Sequence, residues 1–140
     1  MKAFAATALL ALLVGCSGQA PATSAPRPNL TVSNGTTLTV TLVVNGQRVG
    51  DFPPSGAGPK IDVASLPPLP WTVEARSPSG RLLTSMVVGP GEVQSMASGA
   101  AIVMGRVDLS CGRLTIFAGD VAPSGPAPPP SPGNPGDCAP

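Results

Sequence analysis

The chain predicts an all-β fold: a small antiparallel β-sandwich, with a disordered N-terminal tether and a Pro-rich C-terminal tail. Three observations carry that prediction. Apolar side chains alternate with polar ones in several short stretches, the period-2 signature of half-buried strands. Turn-forming residues fall between those stretches. The composition, 42% hydrophobic yet with 17 Gly and 19 Pro in 140 residues, is too apolar for a chain disordered throughout and rich in the residues that punctuate strands.

The clearest strand is Leu38 to Val44, where residues 38, 40, 42 and 44 are apolar and share one face. Asn45-Gly46 follows, the favoured pair for a two-residue hairpin turn whose central positions both need positive φ. Gln47 to Phe52 would return, ended by Pro53-Pro54. A second hairpin begins at Trp71, with Trp71, Val73 and Ala75 turned inward. Ser77-Pro78-Ser79-Gly80 supplies its turn, Pro second and Gly last, and Arg81 to Val88 returns. Gly89-Pro90-Gly91 ends that strand. Arg106–Ser110 and Arg113–Phe117 alternate as well, and Cys111-Gly112 between them fits either a tight turn or a bulge in one long strand. Leu30–Ser33, Ile61–Ala64 and Ala101–Met104 are shorter candidates. Glu92–Ser98 fits a short helical turn. The pattern assigns Leu38, Val40, Leu42, Trp71, Val73, Leu109 and Leu114 to the core.

Flanking this body, Ser17 to Pro28 lacks periodicity and any aliphatic residue larger than Ala, so residues 16–28 are expected to form a tether. Residues 119–140 hold eight Pro in 22 residues, which excludes a helix or central strand there. The expected division is therefore 1–15, 16–28, 29–118 for the sandwich, and 119–140 for the tail. Strand count, spacing and one Trp within a strand resemble immunoglobulin-like and fibronectin-like sandwiches in architecture alone. The Cys…Trp…Cys order of true immunoglobulin domains is missing, because Cys111 and Cys138 both follow Trp71. No function transfers on that likeness.

The first residues give an address. Lys2 precedes twelve residues, Ala3 to Val14, of which only Thr7 is polar. That run is shorter than the roughly 20 residues a membrane span requires and fits a signal-peptide core. Leu13-Val14-Gly15-Cys16 then resembles the lipobox of bacterial lipoproteins. The resemblance implies cleavage between Gly15 and Cys16, a lipid on the Cys16 thiol, and a place on the extracytoplasmic face of a bacterial membrane. Three Cys in an exported chain leave one unpaired. With Cys16 taken by lipid, Cys111 and Cys138 are expected to form a disulfide; two free thiols or a link to a partner chain are the alternatives.

Composition narrows function. Charged residues are 11% of the chain and the net charge is +1, so no basic footprint for nucleic acid exists. There is no His, hence no Ser-His or Cys-His pair. No CxxC or calcium loop is present, and no metal or other cofactor is expected. Met86, Met96 and Met104 fit core filling rather than a soft-metal set. A paired-acid site is formally possible among Asp51, Asp62, Glu74, Glu92 and Asp108, but Glu74 and Asp108 sit at outward phases. Ser55 to Lys60 fails as a phosphate loop, because Pro59 removes a backbone donor. Asn29-Leu30-Thr31 and Asn34-Gly35-Thr36 match the glycosylation sequon by chance. The expectation is a lipid-anchored envelope protein with a non-catalytic structural or binding sandwich and no small-molecule substrate. Its partners would be the membrane, through the lipid, and an envelope protein. An accessory subunit of an envelope complex or transport system is the alternative, and an enzyme built on those carboxylates the third.

Overall fold

Alternation and turn chemistry decide the local structure. The computed structural model describes residues 27–55, 58–97, 103–119 and 129–139. In these, β1 (Leu30–Asn34), β2 (Val40–Val44), β3 (Gln47–Phe52), β4 (Trp71–Arg76) and β5 (Leu82–Val88) lead to the helix α1 (Pro90–Ala97). Strands β6 (Val103–Leu109) and β7 (Gly112–Ala118) follow. They form two antiparallel sheets, β3-β2-β4-β5 and β1-β7-β6. The fold is a small antiparallel β-sandwich.

The hairpin turns follow their residues. Asn45 and Gly46 have φ of 49° and 80°, both positive as the two-residue loop between β2 and β3 demands. The Asn45 side chain also ties this loop to β4. Its Oδ1 accepts from the Thr72 amide at 2.7 Å and its Nδ2 donates to the Pro70 carbonyl at 3.0 Å. Between β4 and β5, the Gly80 amide donates to the Ser77 carbonyl at 2.9 Å, closing the expected turn. Leu109 pairs with Gly112, so Cys111-Gly112 belongs to a tight turn between two strands and not to a bulge in one.

The core lies between the sheets. Val40, Leu42, Val44, Trp71, Val73, Ala75, Val88, Leu114 and Ile116 are fully buried, as the alternation requires. Burial of each large apolar side chain contributes about 1.5–3 kcal/mol. Trp71 also satisfies its one polar atom, Nε1 donating to the Pro67 carbonyl at 2.7 Å. All seven residues assigned to the core from the sequence are buried. Met86 and Met96 pack into or against the core, but Met104 lies on the outer face of β6 and is exposed, so core filling does not describe it.

Two elements differ from expectation. Ile61–Ala64 is not a strand, because Asp62 captures the following backbone. Its Oδ1 accepts from the Ala64 amide at 3.0 Å and its carbonyl from the Ser65 amide at 3.1 Å, which closes a turn. Gly89-Pro90-Gly91, expected only to end a strand, also starts α1. Pro90 stands where a helix lacks an amide partner anyway, and the Glu92 carboxylate accepts from the Gly89 amide at 2.9 Å. Of Ala101–Met104, residues 101 and 102 lie outside the described residues, and Val103-Met104 open β6.

One side of the sandwich is closed. β5 and β6, the edges of the two sheets, lie side by side. A Cβ on Gly105 would fall 3.1 Å from the Ser85 carbonyl oxygen and 3.0 Å from Ile116 Cγ1, so glycine is what lets β6 approach β5. On the opposite side, β1 and β3 are the edges that pair with no further strand among the described residues.

Candidate functional site

Two places gather polar chemistry: a clasp at the β6–β7 turn and a groove along β1. Gly15 and Cys16, the expected cleavage and lipid positions, lie outside the described residues.

The clasp begins with Cys111 and Cys138, which form a disulfide with Cα atoms 6.0 Å apart. The bond brings residues 129–139 back onto the turn. Ser131 donates its amide to Asp108 Oδ2 at 3.3 Å, and Arg81 donates to the Asp137 carbonyl. Gly133 crosses so close to Leu109 and Ser110 that a Cβ would stand 2.2 Å from their backbone atoms. Asp108 sits at an outward phase of β6 as expected, yet its side chain is only 9% exposed. It accepts from Arg113 Nε at 2.6 Å and from Arg106 Nη2 at 3.0 Å. The Arg113 hydrogen bond, joined by the Ser131 amide and Arg106, draws its carboxyl down to about 2. The charge is therefore structural: it fixes the tail to the hairpin.

The other four candidate carboxylates are also engaged. Asp51 accepts from Thr41 Oγ1 at 2.8 Å and pairs with Arg48, and these contacts lower its pKa. Glu74 pairs with Arg76 at 2.7 Å, Asp62 holds its own turn, and Glu92 holds the start of α1. These five acids lie on separate elements. Among the described residues no group of three or more potential metal-ligating acids and cysteines exists.

The groove, about 480 Å³, runs between β1 and the 58–61 segment. Its walls include Leu30, Val32, Phe52, Ile61 and Phe117, and among the described residues Lys60 is the one ionisable group that lines it. Hydrogen-bond phase explains its polar character. Gly119 donates to the Asn29 carbonyl at 2.9 Å and Gly35 to the Arg113 carbonyl at 2.8 Å. Odd-numbered residues of β1 thus turn their backbone groups to β7, and Leu30, Val32 and Asn34 turn theirs outward. The Asn34 carbonyl accepts from the Ser55 amide at 3.1 Å, which closes that end.

Sequence reasoning missed the residues that hold this groove. Arg27 donates to the carbonyls of Val63, Ala64 and Leu66 at 3.0, 2.9 and 3.0 Å, pinning the segment that continues from the groove wall. Asn34 is buried: its Nδ2 donates to the Leu38 and Phe52 carbonyls at 2.8 and 3.0 Å. Its Oδ1 accepts from the Thr36 amide and hydroxyl at 3.1 and 2.7 Å. The sequon match at Asn34 is thereby explained as a structural knot whose amide is already engaged. An Asn followed two residues on by Thr was the available signal; for Arg27 the sequence offers none.

Comparison with known proteins adds no relative: no protein family, no curated protein and no solved structure matches the chain.

Proposed function

We propose that the protein is a lipid-anchored component of a bacterial envelope whose sandwich binds rather than catalyses. The observation that carries the reading is the Cys111–Cys138 bond. It accounts for two of three cysteines, suits an oxidising compartment, and leaves Cys16 for the lipid that the Leu13-Val14-Gly15-Cys16 pattern implies. The chemistry of the described surface points the same way: each candidate acid is committed to an internal partner. Among the described residues, the β1 edge beside the groove remains for contact with a partner.

Metabolic labelling with a palmitate analogue, followed by membrane fractionation, tests the anchor. The intact chain is expected to take up label and to sediment with membranes, and Cys16→Ser to lose both. Unchanged labelling and sedimentation of Cys16→Ser would overturn the proposal.

A further inference from the structure

A sandwich has four sheet edges, and here three are guarded. β5 and β6 cover one another. β3 carries the exposed Arg48–Asp51 pair, shifts register between Leu42 and Val43 on β2, and is followed by Pro53-Pro54. These are the usual devices against edge pairing. β1 carries none of them along Leu30–Val32. None of the three side chains is charged, and the outward N–H and C=O groups of Leu30 and Val32 take no backbone partner in another element among the described residues. Beside them lie Phe52, Ile61 and Phe117.

Lys60 fixes the chemistry of what would fit. Its ammonium makes no ion pair or hydrogen bond among the described residues, while the neighbouring Asp62 is turned into its own loop. A cation at the rim of a groove with an open strand edge is complementary to an extended segment bearing a carboxylate. We propose that β1 accepts an acidic, extended segment of a partner protein as an added strand. The partner's backbone would pair with Leu30 and Val32, an apolar side chain would enter between Phe52 and Ile61, and an Asp or Glu side chain would meet Lys60. This strand-addition mode gives affinity through main-chain hydrogen bonds and selectivity through alternate side chains. It rests on the binding reading above but not on the lipid anchor.

The test uses the oxidised full chain in detergent and a random dodecapeptide library displayed on phage. Selected peptides are expected to be rich in β-branched residues and to carry an acid at a fixed position. On binding, the amides of Leu30 and Val32 should gain hydrogen-exchange protection, whereas those of Thr31 and Ser33, already turned to β7, should not change. Lys60→Glu should weaken the selected peptides about tenfold and favour their Lys-substituted versions. Val32→Pro removes one outward donor without touching the β7 ladder and should weaken them similarly; the exchange measurement stands if that variant fails to fold. An absence of binders, binders indifferent to Lys60→Glu, or protection elsewhere would overturn the proposal. So would self-association through β1 detected by light scattering, which would give the edge to a second copy. Each of these results is independent of where Cys16→Ser sediments.

Discussion

Replacing both Cys111 and Cys138 by Ser removes the clasp's covalent bond without leaving reactive thiols. The two cysteines are 27 residues apart in sequence. On the chain-entropy relation, a loop of that size costs the unfolded state about 12 cal/mol/K, about 3.6 kcal/mol at 25 °C. The contacts that remain are few: the Ser131 amide on Asp108 and Arg81 on the Asp137 carbonyl. Each such bond contributes about 0.5–1.5 kcal/mol net when its groups are ordered anyway, and less when a Pro-rich segment must be ordered to make it. The double variant should therefore lose about 3–4 kcal/mol, a large share of the roughly 5–15 kcal/mol that holds a domain together. Equilibrium unfolding in urea reads this directly. The slope of stability against denaturant should also rise, because an unfolded chain freed of its cross-link exposes more surface. Deleting residues 129–140 in the same background should then cost less than about 1.5 kcal/mol more. A double variant within about 1 kcal/mol of the oxidised protein, at unchanged slope, would refute the reasoning.

Asn34→Ala removes the donor to the Leu38, Phe52 and Pro53 carbonyls and the acceptor of the Thr36 amide and hydroxyl, and should cost about 2–4 kcal/mol in thermal unfolding; a loss under about 0.5 kcal/mol would show that the knot is dispensable. Asp108 has a folded-state pKa near 2, below its unfolded value of about 3.9. Its contribution is thus complete above about pH 4 and is lost as pH falls toward 2. The Ser131 amide resonance should follow that titration, and Asp108→Asn should abolish the shift; an unmoved Ser131 would mean that the Asp108 carboxylate does not hold the tail.

Most strands were legible because their information is local. Val40, Leu42 and Val44 alternate with polar or outward neighbours, Asn45-Gly46 names its own turn, and Trp71, Val73 and Ala75 repeat the pattern. The misreadings were local competitions. In Ile61–Ala64 the Asp62 side chain offered the backbone a better partner than a neighbouring strand, and at Pro90 a residue that ends a strand also begins a helix. The groove was not legible, because it depends on which strand β1 joins. Leu30 and Ala118 are partners in register although 88 positions apart, and no short window contains both. Arg27 was hidden for the same reason, since its three carbonyl partners lie 36 to 39 residues away. The disulfide was inferred from parity, which names the pair but not the path that lays Gly133 across Leu109.

The clasp also decides how the sandwich bears tension. β1 enters beside the end of β7: Leu30 faces Ala118, and Asn34 faces Leu114. Without a cross-link, a pull on the chain's two ends would meet at the Leu30–Ala118 end and peel the strands apart one pair at a time. The Cys111–Cys138 bond moves the second point of load to the opposite end of β7, one residue before Gly112. Force then runs lengthwise, dragging β1 and β7 past each other, and the five pairs between them share it at once. The same bond takes residues 112–137 out of the loaded path. A joint that would otherwise unzip thus becomes one that must shear.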